Sequence, residues 1–147
     1  MLTQDIREAE LVLVGIGNEM QVRLHVLKEI QNFAEKLSIL EQRQDKEWLI
    51  PFLIRYYLRK EFHPEITEAY HKLKLLLEGK NYFIVSMSTD DLIRDAGFGE
   101  NRVTLPCGTY ELMQCMENCN GKLFSVDDAF WEKICGWIEN KVSLEEL

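Results

Sequence analysis

The 147-residue sequence lacks any apolar run long enough to cross a lipid bilayer. Its first ten residues, MLTQDIREAE, are polar and acidic, whereas a secretory signal peptide begins with basic residues and continues with an apolar core. Internal repeats, low-complexity tracts and linkers rich in glycine and serine are also missing, and there are only three prolines. These absences predict one cytoplasmic domain over residues 1–147, with no membrane partner.

An excess of basic residues is missing as well. Lysine and arginine number 17 against 25 aspartates and glutamates, which gives a formal net charge of −8. Such a surface repels phosphate backbones, so we expect no nucleic-acid partner. A small anionic ligand stays compatible with this charge, because backbone amides at a helix start can outweigh a distant net charge.

The sequence has one cysteine pair and lacks a second. Cys115 and Cys119 form a C-x₃-C pair, and the other two cysteines, Cys107 and Cys135, are irregularly spaced. Structural zinc sites have four ligands, usually supplied by two such pairs. Cys115 and Cys119 are therefore candidate zinc ligands that need partners from elsewhere, within a small cysteine-containing module predicted over residues 107–140.

Apolar periodicity predicts strands alternating with helices. Two apolar runs predict strands, Glu10–Gly15 and Asn81–Met87, and the first has the composition of a strand buried on both faces. The predicted helices are Gln21–Leu40, Asp45–Phe62, Pro64–Glu78, Asp90–Ala96 and Ser125–Lys141; short extended segments are predicted in RVTLP and TYELMQC. This order predicts an α/β fold, a Rossmann-like parallel sheet flanked by helices, with the cysteine-containing segment as a small extension.

Ligands of such sheets bind outside the carboxyl ends of the strands. Two predicted strand ends carry glycine or polar residues, namely the segments 15–19 and 86–91. We expect these two ends to lie side by side and to form one crevice.

The first strand end reads GIGNEM. Gly15 and Gly17 lack a Cβ and would let a ligand approach the backbone, while the N–H groups of a following helix suit a pyrophosphate. A full dinucleotide fingerprint has a third glycine where this chain has Met20. A tight structural turn between strand and helix is the alternative.

The second strand end reads STDD. Ser88, Thr89, Asp90 and Asp91 can serve simply as caps of the short helix that follows. In the functional interpretation, one acid points into the crevice and accepts hydrogen bonds from an amide or a ribose hydroxyl.

Together these segments resemble the amino-terminal half of the sirtuins, the NAD-dependent protein deacylases. ELVLVGIGNEM is similar to their first strand and GAGxS loop. AYHKLKLLLEGKNYFIVSMSTDDLIRDAG is similar to the stretch that contains their TQNxDxLHxxAG segment, with Asp90, Leu92, Ala96 and Gly97 in register. RVTLPCGTYELMQCMENC is similar to the strand end that carries HG, followed by the first zinc cysteine pair. The resemblance covers roughly residues 8 to 120.

The resemblance implies a domain that binds NAD or ADP-ribose and acts on a protein substrate. Gly15 and Gly17 would lie at the pyrophosphate, and Ser88 and Asp90 at the ribose and nicotinamide. Asp90 and Cys107 would be the catalytic residues, because Cys107 stands where the family has its histidine base. The implied activity is NAD-dependent deacylation, or NAD cleavage with ADP-ribosyl transfer.

Departures from the family keep a second hypothesis open. A thiol at Cys107 is a poorer base than imidazole near neutral pH, and Met87 and Ser88 replace the QN pair of the family. Glu19 replaces the serine of the glycine loop and would bring a negative charge near a pyrophosphate. The alternative is therefore a non-enzymatic interaction module with a degenerate nucleotide-binding fold. A homo-oligomer would cover the exposed edge of a partial sheet. In a third interpretation, Cys107 is itself a nucleophile.

Overall fold

The computed structural model of the chain describes residues 2–20, 23–61, 64–117 and 119–147. Helices and strands alternate over these residues, and in chain order they are α1 (Leu2–Glu8), β1 (Leu11–Ile16), α2 (Leu24–Lys28), α3 (Gln31–Glu41), α4 (Ile50–Lys60), α5 (Pro64–Leu76), β2 (Asn81–Ser86), α6 (Leu92–Asp95), β3 (Val103–Thr104), β4 (Leu112–Gln114), β5 (Leu123–Ser125) and α7 (Asp128–Ile138). Single 3₁₀ turns occur at Asn18–Met20, Glu47–Leu49, Glu100–Arg102 and Leu144–Glu146.

The chain divides into two compact units. The first unit comprises residues 1–22 and 62–109, and the second comprises residues 23–61 and 110–147. Cys107 therefore belongs to the first unit, whereas Cys115 and Cys119 belong to the second. The single domain over residues 1–147 and the module over residues 107–140 remain predictions.

The first unit contains a three-stranded parallel sheet in the order β1-β2-β3. β1 and β2 pair over their whole lengths, from Leu11 opposite Asn81 to Ile16 opposite Ser86. β3 continues the sheet on the other side of β2, with Val103 opposite Ile84. The parallel α/β architecture predicted from the sequence is thus confirmed, while the finer Rossmann-like assignment stays a prediction.

One face of β1 is exposed, so the prediction of a strand buried on both faces was wrong. Leu11 and Leu13 keep 61% and 71% of their surface accessible, and the neighbouring Phe83 keeps 37%. Burial alternates along the strand, with Ile16 buried on the opposite face. Alternating burial is typical of a sheet that is covered on one face only. The sequence did not reveal this alternation, because both faces of β1 carry apolar residues.

The core of the first unit packs α5 against the covered face of the sheet. Phe98 joins the two, since its ring contacts Tyr70 of α5 and Tyr82 of β2 edge to face, at centroid distances of 6.5 and 6.2 Å. Beyond α5 the chain turns at Gly79, whose φ of +71° is the left-handed conformation expected just past a helix end. The other buried apolar residues of this unit are Ile16, Leu77, Ile84, Leu92, Ile93 and Val103.

The second unit contains α2, α3, α4, α7 and an antiparallel hairpin of β4 and β5. The single helix predicted from Gln21 to Leu40 is wrong: Ile30 adopts an extended conformation, with φ −82° and ψ 111°, and separates α2 from α3. Its predicted start at Gln21 lies outside the described residues. Apolar spacing continues across Ile30 without proline or glycine, so the sequence gives no sign of the break.

The last helix also begins later than predicted. Asp127 caps α7, because its carboxylate accepts a hydrogen bond from Phe130 N at 2.7 Å. The predicted cap, Ser125, is the last residue of β5. Both residues are good caps, and pairing of β5 with β4 decides between them. Among the described residues, no helix is long and apolar enough to span a membrane.

We predict that Gly79→Ala lowers the free energy of unfolding by about 1–2 kcal/mol, the cost of the left-handed conformation for a residue with a Cβ. The space around Gly79 is open, so no steric clash adds to this cost. Urea unfolding measures the change. Gly15→Ala is the matched control, since its surroundings are equally open and its φ is not positive. Equal stability of the two variants would contradict the assignment.

Candidate functional site

Parallel pairing brings the two predicted strand ends together. Ile16 is the last residue of β1 and lies opposite Ser86, the last residue of β2. The pairing continues one step further, because Met87 N donates to Ile16 O at 2.9 Å. Gly17 therefore follows β1 directly beside the segment that leads from β2 into Ser88, as predicted.

Several polar residues at the end of β2 and just beyond it are deeply buried. Ser86 and Ser88 expose 0% and 1% of their surface, and Asp90 and Asp91 expose 3% and 2%. Charged residues are rarely buried to this degree without specific interactions, because desolvation of a carboxylate is costly. Two adjacent buried carboxylates beyond the carboxyl end of β2 distinguish this segment from an ordinary helix start.

Every second side chain in this segment accepts a hydrogen bond from the backbone N–H group two residues further along the chain. Ser86 Oγ accepts from Ser88 N at 3.3 Å, and Ser88 Oγ accepts from Asp90 N at 3.5 Å. Asp90 Oδ1 then accepts from Leu92 N at 3.1 Å, at the start of α6. The N-cap residue of α6 is Asp91, so the Asp90 bond is a local side-chain turn just before the helix, and it orients the Asp90 carboxylate.

Asp91 adopts a left-handed backbone conformation, with φ 59° and ψ 5°. Its carbonyl oxygen accepts from Arg94 N and Asp95 N, which begins α6. A left-handed conformation is uncommon for a residue other than glycine, although aspartate tolerates it better than most. Such positions cluster at functional sites, and this one lies beside Asp90.

Tyr70 is a residue of the site that the sequence did not reveal. Its side chain is fully buried, and its hydroxyl has no hydrogen-bond partner among the described residues. Burial, and next the negative charge of Asp90, raise the pKa of Tyr70. Tyr70 lies on α5, twenty positions before Asp90, and its apolar neighbours at helical spacing are typical of an ordinary core face.

The two glycines of the first strand end differ in their surroundings. Gly15 belongs to β1, opposite Val85, and an added Cβ would meet nothing within 4 Å. Gly17 lies beyond the strand, where an added Cβ would collide with the carboxylate of Glu19. Neither glycine has a positive φ, so backbone conformation does not require glycine at either position, and what glycine provides there is the absence of a side chain. The Glu19 carboxylate thus lies against the backbone where a pyrophosphate was predicted.

Cys107 lies at the end of the third strand of the same sheet. Leu105–Gly108 form a turn closed by a hydrogen bond from Gly108 N to Leu105 O at 3.0 Å, with Gly108 at φ +83°. Pro106 occupies the second position of this turn, which proline favours. Because β3 is parallel to β2, this turn leaves the sheet at the carboxyl ends of the strands, as do the segments that begin at Gly17 and Met87. The Cys107 thiol is exposed.

The predicted zinc ligands lie in the second unit, in the loop between β4 and β5. The sulfur atoms of Cys115 and Cys119 are 3.0 Å apart. Among the described residues, no group of three or more histidine, cysteine, aspartate or glutamate side chains is placed to hold a metal ion. Since a structural zinc ion takes four ligands, the described residues do not support a zinc site.

Comparison with known proteins gives one informative match. No protein-family model matches the chain. The chain is similar to a protein of Staphylococcus aureus (strain Mu50 / ATCC 700699) named Protein ADP-ribosyltransferase, with 25% identity over 144 residues, covering 87% of this chain and 45% of the relative. The chain therefore spans less than half the length of this relative. Similarity at this level does not assign a family, and the sirtuin resemblance stays a prediction.

We predict that Tyr70→Phe leaves the free energy of unfolding unchanged or raises it by up to about 1 kcal/mol, because a buried hydroxyl without a partner contributes no stability. Urea unfolding tests this. Tyr57→Phe is the control, since the Tyr57 hydroxyl accepts a hydrogen bond from Asn32 at 2.7 Å and its removal should cost about 1 kcal/mol. A loss of more than about 1 kcal/mol in Tyr70→Phe would show that the hydroxyl is already satisfied.

The raised pKa of Tyr70 also predicts an alkaline effect on stability. In the unfolded chain Tyr70 ionises near its ordinary pKa of 10.0, whereas the folded protein retains the proton to higher pH. The contribution of protonated Tyr70 to the free energy of unfolding is therefore fully present below pH 10 and is lost as the pH rises above that value. Phenylalanine cannot ionise, so Tyr70→Phe should lose less stability than wild type between about pH 9 and 11. Parallel losses in the two proteins would contradict the assignment.

Proposed function

We propose that this chain is a divergent, sirtuin-like domain that binds NAD and takes part in transfer of its ADP-ribosyl group. The observation that supports the proposal is the pairing of β1 with β2, because it brings the end of β1, before Gly17, to Met87 at the start of the segment that contains the buried acids Asp90 and Asp91. The printed name of the Staphylococcus aureus relative, Protein ADP-ribosyltransferase, supports the same class of chemistry.

The residues of the first unit fit most parts of such a cofactor. Gly15 leaves backbone accessible to a pyrophosphate, and Gly17 would do so once the Glu19 carboxylate rotates away. Ser88 and Asp90 would bind polar groups of the ribose or nicotinamide. The Tyr70 hydroxyl, close enough to Asp90 to be affected by its charge, lacks a hydrogen-bond partner among the described residues. A ligand with an amide and hydroxyl groups requires buried polar side chains of this kind as hydrogen-bonding partners.

Bound NAD would supply an ADP-ribosyl group attached to nicotinamide, a leaving group. Asp90 would accept a hydrogen bond from the carboxamide or a ribose hydroxyl, and its negative charge would stabilise positive charge developing nearby. Complete deacylation also needs a base at the ribose hydroxyls. Cys107, an exposed thiol on the turn after β3, is a poor base at neutral pH. We therefore favour ADP-ribosyl transfer to a protein in the cytoplasm over deacylation.

The competing proposal is a non-enzymatic interaction module. Two observations favour it: the Glu19 carboxylate lies against Gly17, and Leu11, Leu13 and Phe83 expose an apolar sheet face that a second copy of the chain could cover. Such a module would bind no NAD. The two proposals therefore differ in a direct binding measurement.

Isothermal titration of NAD and of ADP-ribose into the purified chain tests the proposed function. Asp90→Asn keeps the oxygen that accepts from Leu92 N and removes the charge. It should weaken binding about 10- to 150-fold, the equivalent of the 1.5–3 kcal/mol of a charge-assisted hydrogen bond. Asp95→Asn, an exposed acid of α6, should leave affinity unchanged. The absence of binding by folded wild-type protein would contradict the proposal and favour the interaction module.

Glu19 gives a second prediction for the same site. Glu19→Gln removes a negative charge from the place proposed for the negatively charged pyrophosphate. This substitution should raise NAD affinity about two- to fivefold, and the gain should shrink as salt is added. Glu10→Gln is the control, because Glu10 is exposed at the other end of β1, roughly 20 Å away along the strand. If both variants gain NAD affinity equally, the gain results from the change in net charge, and the assigned position of the pyrophosphate is wrong.

A further inference from the structure

Two thiols of the second unit are placed to react with each other. Cys115 directly follows β4, and Cys119 lies further along the loop that leads to β5. The Cys119 thiol donates a hydrogen bond to Cys115 Sγ at 3.0 Å, so both cysteines are in the reduced, thiol form. A disulfide bond has a length of about 2.05 Å, so a shift of about 1 Å would join them.

The base of the loop is held in place. β4 and β5 pair in antiparallel register from Leu112 opposite Ser125 to Gln114 opposite Leu123. Within the loop, Asn120 Oδ1 accepts a hydrogen bond from Lys122 N at 3.1 Å. The hairpin therefore keeps the two cysteines within one short closed segment, so that their reaction is intramolecular.

The surroundings distinguish the two sulfur atoms. Cys119 is exposed and Cys115 is half-buried. Asn120 Nδ2 donates a hydrogen bond to Cys119 Sγ at 3.5 Å. Oxidation-sensing cysteines are typically accessible and have a second cysteine close by to resolve the first product.

We propose that Cys115 and Cys119 form a reversible redox site, oxidised by hydroperoxides to an intrachain disulfide, because the hairpin loop holds their sulfur atoms in contact. Cys119 attacks one oxygen of hydrogen peroxide, the O–O bond breaks, and sulfenic acid and water form. The Cys115 thiol then attacks the sulfenic sulfur, which releases a second water. Two thiols lose two electrons and two hydrogens in total, and peroxide accepts them. A thiol reductant reverses the reaction by exchange.

The other two cysteines serve as internal controls. Burial raises the pKa of the Cys135 thiol, and this lowers the fraction of reactive thiolate. Cys107 is exposed but lies in the first unit, outside the hairpin. Of the chain's four thiols, we expect peroxide to consume two as a pair.

The test treats the full chain with hydrogen peroxide in the presence of a chelator, so that a bound metal ion cannot protect the thiols. The expected result is a mass decrease of about 2 Da, the loss of two hydrogens, with a Cys115–Cys119 linkage in the peptide map. Dithiothreitol should restore both thiols. In Cys115→Ser, a sulfenic-acid reagent should label Cys119 and no disulfide should form within the chain.

Several results would overturn the proposal. One is a mass gain of oxygen at Cys115 or Cys119 without a linkage. Others are linkage between chains at low protein concentration, and oxidation of Cys107 and Cys135 as fast as the pair. Both serine variants, Cys115→Ser and Cys119→Ser, should fold normally because they alter one loop, and circular dichroism verifies this. The result is independent of NAD binding, which the first unit would provide.

Discussion

The parallel pairing of β1 with β2 is the constraint on which the candidate site depends. Hydrogen bonds from Leu11 opposite Asn81 to Ile16 opposite Ser86 fix the register, and the bond from Met87 N to Ile16 O extends it past both strands. A shift of one residue would turn Ser86 away from the covered face and would move the polar segment relative to Gly17. The chemistry assigned to this edge therefore rests on backbone geometry first and on side chains second.

The polar segment after β2 combines burial with a network of local hydrogen bonds. Ser86, Ser88 and Asp90 each bind the backbone two residues ahead, and these bonds offset part of the cost of desolvation. The left-handed conformation of Asp91 adds backbone strain, and the Tyr70 hydroxyl, which has no hydrogen-bond partner within the described ranges, adds a desolvation cost. Proteins retain such costs where a site must be organised before its ligand arrives. Stability alone does not account for this concentration of buried polar groups.

The sequence predicted the parts of this site that depend on local patterns. An apolar run followed by STDD predicted β2 and its polar end, and Pro64 and Gly79 bounded the region of α5. Long-range packing decided the rest. Nothing in the spacing of Tyr70 indicates that its hydroxyl lies near Asp90, and the exposure of Leu13 depends on what covers the sheet. The break at Ile30 was missed because no glycine or proline marks it. The glycine-loop pattern predicted the Glu19 charge near the pyrophosphate position, and the structure adds that its carboxylate lies against Gly17.

The most direct measurement of the central claim is an NMR titration of the ¹⁵N-labelled chain with ADP-ribose. If both strand ends contribute to one site, the amide signals of Gly17 and Asp90 shift together, with a single dissociation constant. Signals from the amino end of the sheet, such as Leu11 and Asn81, stay in place. Shifts confined to one strand end, or shifts found only elsewhere in the chain, would contradict the claim that the two ends form one crevice.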